Sequence, residues 1–148
     1  MQEALILIQS ISRNFALFSC ALFAGAATYI SLVERPSIAE GGTNLASTYL
    51  MFSQPRPMIF QTCFAGIGGL AGILSGLTAF NPWWLAGGVI LTIAALTHIF
   101  VITPVARDLS SKVWSEKEIQ PKLRSLSRHY GLQSIAGLAA LFIYIMET

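Results

Sequence analysis

The side chains of this chain that could do chemistry stand at the ends of apolar runs, and one stands inside such a run. His98 lies in Ala95-Leu96-Thr97-His98-Ile99-Phe100-Val101. A neutral imidazole serves as a base, a proton shuttle or a metal ligand. Ionisable groups inside long apolar runs are costly enough to mark function or a specific partner. The plainer reading of His98 is a buried histidine hydrogen-bonded to a neighbouring helix. Glu34-Arg35 close the first run, Arg56 opens the second with Gln61 one turn inside, and Arg128-His129-Tyr130 open the last with Gln133 after them. Glu34, His98 and His129 are candidate acid–base groups, and Arg56 is a candidate to stabilise a developing negative charge. Arg128, Tyr130 and Gln133 are candidates to bind a substrate. The plainer readings are a helix-end ion pair of Glu34 with Arg56 or Arg128, and an interfacial polar role for His129.

Metal chemistry finds no support in the spacing. Cys20 and Cys63 lie in separate apolar runs, and no CxxC or Cys/His pair occurs, so both read as small packing residues. A haem held by two histidines needs both rings facing one iron. His98 and His129 lie on different helices at different depths, so no metal and no cofactor is expected. Neither a basic arm nor a nucleic-acid motif is present, and the net charge of +2 carries no message.

The elements that must position these residues are four apolar runs, Phe15–Val33, Met58–Phe80, Trp83–Val105 and Tyr130–Met146. About 20 apolar residues cross a bilayer core as a helix. Charged residues make up only 11% of the chain, against about 25% in a soluble domain. The expected architecture is all-α: a single transmembrane domain over 1–148, an integral membrane four-helix antiparallel bundle with helices at about 6–33, 58–80, 83–105 and 122–146. The first run is too long for a signal peptide, so a retained helix is expected. Glu34-Arg35-Pro36 is expected to stop it. The 21-residue loop Ser37–Pro57 is expected to hold a short interfacial helix at about Thr43–Phe52. Asn81-Pro82 is a tight turn that makes a hairpin of helices two and three, and Trp83-Trp84 fit the headgroup belt. Pro104 stands near the end of helix three, and Pro121 near the start of helix four.

All the candidate side chains then meet at one face of the membrane. His98, six residues before Pro104, lies roughly 9 Å deeper at helical rise. Of the nine Lys and Arg residues, only Arg13 falls outside the two long loops and their flanks. The positive-inside rule therefore places both long loops in the cytoplasm and both termini on the opposite side. Arg13 reads as a snorkelling anchor, and the stretch Lys112–Arg128 as a solvated or lipid-headgroup-facing segment.

Gly68, Gly72 and Gly76 recur every fourth residue and share one helix face. Such a face allows close backbone approach. It serves either packing within the bundle or a homo-oligomer seam.

The chain resembles the anthrone-oxygenase-like family of small four-helix integral membrane proteins. The resemblance covers most of the length. It is carried by Val33-Glu34-Arg35-Pro36, by Ile102-Thr103-Pro104-Val105 with Leu109, by the Trp114 region, and by Gly137-Leu138-Ala139-Ala140 in the last helix. Registering on Gly137 puts Tyr130 where the family usually has histidine and Gln133 where it usually has arginine; Ala106 stands where asparagine is frequent. The resemblance implies cofactor-independent oxygenation of an electron-rich polycyclic phenol, with Glu34 or His98 as base and Arg56 or Arg128 stabilising the phenolate. The expected function is thus an oxygenase, or a binder of a hydrophobic aromatic small molecule, with a pocket at the cytoplasmic helix ends. The alternative is a non-catalytic accessory subunit of a larger membrane complex. Its small size, glycine-rich faces and lack of a cofactor motif suit that role. A transporter-like unit fits least, because four helices enclose little and no broken helix is evident.

Overall fold

The computed structural model describes residues 2–42, 45–46, 48–49, 55–111 and 114–148. Among these the chain is helical, with no strand. Helix α1 (Gln2–Tyr29) runs through a π-helical turn (Ile30–Glu34) into α2 (Arg35–Glu40). Helix α3 spans Pro55–Ala79, and α4 (Pro82–Thr97) runs through a second π-helical turn (His98–Ile102) into α5 (Thr103–Ser111). Helix α6 spans Glu116–Met146. Four stretches are long and apolar enough to cross a membrane: Gln2–Glu40, Arg56–Ala79, Pro82–Leu109 and Lys117–Met146. They are compatible with an integral membrane protein. The helix expected at about Thr43–Phe52 falls largely outside the described residues.

Three prolines behave differently from the expectation, each for a local reason. Pro36 does not stop the first helix. The π turn before it closes with an Arg35 N–H to Ile30 carbonyl bond, and Pro36 then sits in the first turn of α2. Proline is tolerated there because its missing donor is not needed. Pro104 is passed in the same way, after a turn closed by the Thr103 N–H on the His98 carbonyl. In both helices the π turn begins six residues before the proline. Pro121 lies inside α6 rather than at its start, because Ser115 and Glu118 form a capping box that begins the helix earlier. Pro121 itself is exposed, where water can take up a carbonyl that lacks its helical donor.

The α3–α4 connection is tight. Phe80 takes a left-handed backbone (φ 51°), and Asn81 N–H bonds the Gly76 carbonyl at 3.0 Å. This is a Schellman-type ending in which a phenylalanine occupies the place that glycine usually fills. Asn81 Oδ1 then caps α4, accepting from Trp83 N–H at 2.9 Å and Trp84 N–H at 3.4 Å. Its amide also donates to the Glu147 carboxylate at 2.9 Å.

The glycines set how closely the helices approach. A Cβ on Gly76 would lie 2.5 Å from Leu85 N, and one on Gly69 would lie 2.9 Å from Thr92 N. On Gly72 it would overlap the Tyr144 hydroxyl, and on Gly68 it would press on Leu91 and Ser19. The Gly68/Gly72/Gly76 face packs within the chain. Trp84 is fully buried and stacked on Tyr144, ring centroids 4.6 Å apart. Trp83 beside it is exposed.

Two apolar clusters result. One gathers Phe23, Ala65, Trp84, Leu91, Ala140 and Tyr144; the other gathers Ile30, Ile102, Leu109, Ile119, Leu126 and Tyr130. The buried polar side chains Gln61, His98, Gln133 and Ser134 fall between them along the helices.

Candidate functional site

His98 opens the second π turn and is fully buried. Its Nδ1 lies 3.1 Å from Gln133 Oε1 on α6, while Gln133 Nε2 donates to the Ala94 carbonyl at 2.9 Å. A carbonyl can only accept, so it orients the Gln133 amide and turns Oε1 toward His98. An amide oxygen also only accepts, so Nδ1 of His98 carries the proton. In the neutral ring Nε2 then holds the lone pair, and Nε2 has no hydrogen-bond partner among the described residues. The plainer reading of His98 as a histidine bonded to a neighbouring helix therefore accounts for one nitrogen and leaves the other.

Tyr130, one turn before Gln133 on α6, meets His98 edge-on with centroids 5.9 Å apart. The Arg35 guanidinium lies 4.6 Å from the centre of the Tyr130 ring. Arg35 is only 4% exposed, and a buried cation held over an aromatic face is a favourable pairing. Four side chains thus run in a line, Arg35–Tyr130–His98–Gln133, linking the first, third and fourth membrane-length stretches. Close by, Thr28 and Ser134 hydroxyls bond at 2.9 Å across α1 and α6.

A groove of about 260 Å³ lies beside this line, between α4 and α6. Its walls are Ile90, Ile93, Leu132 and Ala136, and its polar members are Thr97, His129 and Gln133. His129 and Gln133 stand four apart on α6 and so share a face. The His129 Nδ1 bonds the Ser125 carbonyl of its own helix at 2.8 Å. Gln133 still has one N–H and one lone pair beyond its two bonds.

The remaining candidates stand apart from this line. Glu34 ends the first π turn, half-buried, taking a hydrogen bond from Tyr49 beside the charge of Arg35. Among the described residues no ion pair joins it to Arg56 or Arg128, and both arginines are exposed. The one ion pair among those residues is Lys122–Asp108 on the surface, with Lys122 also over the Trp114 ring. Along the sequence Arg35 stands only as the end of helix one, and Gln61 stands without a role. Gln61 did carry a signal, being a polar side chain one turn inside an apolar run. Arg35 carried none, because its burial is against Tyr130 of another helix.

No family model, no curated protein and no solved structure matches this chain.

Proposed function

We propose that the four long helices cross a membrane as an antiparallel bundle, with both long loops cytoplasmic and both termini on the opposite side. Within it the protein binds a hydrophobic aromatic small molecule in the α4–α6 groove. One observation carries this reading: an apolar recess of ligand scale holds a few convergent polar groups, of which Gln133 is bonded through to buried His98. Small-molecule sites have that make-up, apolar walls with a few placed polar atoms. The apolar body of a ligand would lie on Ile90, Ile93 and Leu132, and a hydroxyl or carbonyl would meet Thr97, His129 or the spare valences of Gln133. The anthrone-oxygenase-like resemblance extends the reading to cofactor-independent oxygenation of a polycyclic phenol, with His98 as the base. In that extension the buried cation of Arg35, over Tyr130, takes the electrostatic part first assigned to Arg56 and Arg128.

The test is direct binding of 1-naphthol to the purified protein, followed by its fluorescence. Ala136→Phe fills the groove from α6 and is expected to weaken binding at least tenfold while leaving the fold intact. Unchanged affinity would remove the groove as the site.

A second reading, the accessory subunit, draws on another apolar groove of about 430 Å³ between α1 and α3, lined by Ile8, Ile11, Phe15, Ile67, Leu70 and Leu74. Extraction from native membrane in mild detergent separates the two. A small particle carrying an aromatic molecule supports the binder, and a large one with stoichiometric partners supports the subunit.

A further inference from the structure

Helices α3 and α4 meet at Gly68 and Leu91, where a Cβ on Gly68 would lie 3.1 Å from a Leu91 methyl. Their contacts run in opposite directions, Gly69 on Thr92 and Gly76 on Leu85. Seven residues back from Gly68 stands Gln61, and seven forward from Leu91 stands His98. Seven residues is close to two helical turns, so each keeps the face of its reference residue. Gln61 and His98 are therefore level with one another on facing sides of two packed helices, and α3 packs on the His98–Ile102 turn itself. Both residues are 0% exposed. Yet they do not bond one another: both polar atoms of the Gln61 side chain and Nε2 of His98 lack a hydrogen-bond partner among the described residues.

Buried polar groups in folded proteins nearly always have a partner, from the protein or from something bound. Without one, each carries a desolvation cost that an apolar residue at the same place would avoid. We propose that Gln61 and His98 form a buried binding site for a single hydroxyl group. His98 Nε2, fixed as an acceptor by the Gln133 bond on the other nitrogen, accepts a hydrogen bond from the hydroxyl. The Gln61 amide N–H donates to the hydroxyl oxygen. The pairing is selective. A carbonyl cannot donate to Nε2, and an anion would face its lone pair. A phenol or hydroquinone carries such a hydroxyl, and the corresponding quinone does not. The hydroxyl comes either from an ordered water or from a membrane-soluble aromatic alcohol. This site is on the far nitrogen of His98 from the α4–α6 groove and stands whether or not the groove binds a ligand.

The experiment is nitrogen NMR of His98 in protein labelled with 15N-histidine, with His129→Gln to assign the two rings. Spectra are taken alone and with 1-naphthol, 1,4-naphthoquinone or naphthalene. A hydrogen-bonded Nε2 in the protein alone, lost in Gln61→Leu, makes the hydroxyl a water's and supports the site. An Nε2 that becomes hydrogen-bonded only with 1-naphthol, at least tenfold more tightly than with the quinone or naphthalene, makes it a ligand's and also supports it. Gln61→Met replaces Gln61→Leu if the latter does not fold. A bare Nε2 lone pair under every condition overturns the proposal, as does a hydrogen-bonded Nε2 that neither Gln61 variant changes. Unchanged 1-naphthol affinity in Ala136→Phe removes the groove alone, whereas a bare Nε2 removes this site alone.

Discussion

Gln133 decides which nitrogen of His98 carries the proton. Its amide is pinned by the Ala94 carbonyl 2.9 Å away, and its oxygen stands 3.1 Å from His98 Nδ1. Two helices are thereby joined through two buried polar side chains, in a position where the cost of losing one partner exceeds the net worth of the pair.

Removing one member should therefore hurt more than removing both. Gln133→Leu strands the Nδ1 proton of His98 and is expected to cost about 1–3 kcal/mol. His98→Leu strands the Gln133 oxygen and should cost a similar amount. The double variant is expected to be markedly less destabilised than the two single losses added together. Unfolding in detergent for the four proteins measures the coupling, and simple additivity would show that the pair is not a unit.

The glycines should divide by what surrounds them. A Cβ on Gly88 would lie 2.5 Å from Ile73 N and 2.8 Å from the Gly69 carbonyl, atoms of backbone that cannot move aside. Gly88→Ala is expected to destabilise by about 1–3 kcal/mol, the usual range for overpacking. Gly66 has nothing within 4 Å of the same position. Gly66→Ala should be neutral or stabilising by up to about 1 kcal/mol, the propensity difference between the two residues. Melting temperatures of the two variants compared with the parent decide this.

Phe80 is 94% exposed and has a left-handed backbone. That conformation costs a side-chain-bearing residue roughly 1–2 kcal/mol. Phe80→Gly should recover about 1 kcal/mol net, after the added freedom of glycine in the unfolded chain. Phe80→Ala should recover none, because alanine retains the Cβ. Equal effects of the two would mean that Phe80 acts through its ring.

Asn81 both caps α4 and holds the chain end through Glu147. Asn81→Ala is expected to cost about 0.5–2 kcal/mol from the cap alone. Asn81→Asp keeps the cap oxygen but sets a like charge against Glu147, so it should fall between alanine and the parent at neutral pH. Raising the salt concentration should narrow its deficit, since repulsion between charges that meet water is screened. A deficit independent of salt would place its cause in the lost donor.

Much of this architecture is legible along the chain because lipid-length helices declare themselves by run length and by the scarcity of charge. The four long helices, the Asn81-Pro82 hairpin and the crowding of glycine on one face of α3 all follow from local composition. Helix ends are less legible. Pro36 and Pro104 resemble stops, but a wider turn placed just before each lets the helix continue.

The sequence by itself determined that His98 is an ionisable residue inside an apolar helix, and that Gln61 and Gln133 are polar residues near apolar helix ends. Only the tertiary structure decided that Gln133 meets His98, that Gln61 stands level with it across α3 and α4, and that Glu34, Arg56 and Arg128 stay outside the line. The reason is physical. Depth in a helix can be read from residue count, since each residue rises about 1.5 Å. Which helices touch, and in which register, is set by how closely Gly68, Gly72, Gly76 and Gly88 let their backbones approach, and that is a property of pairs of helices rather than of either one.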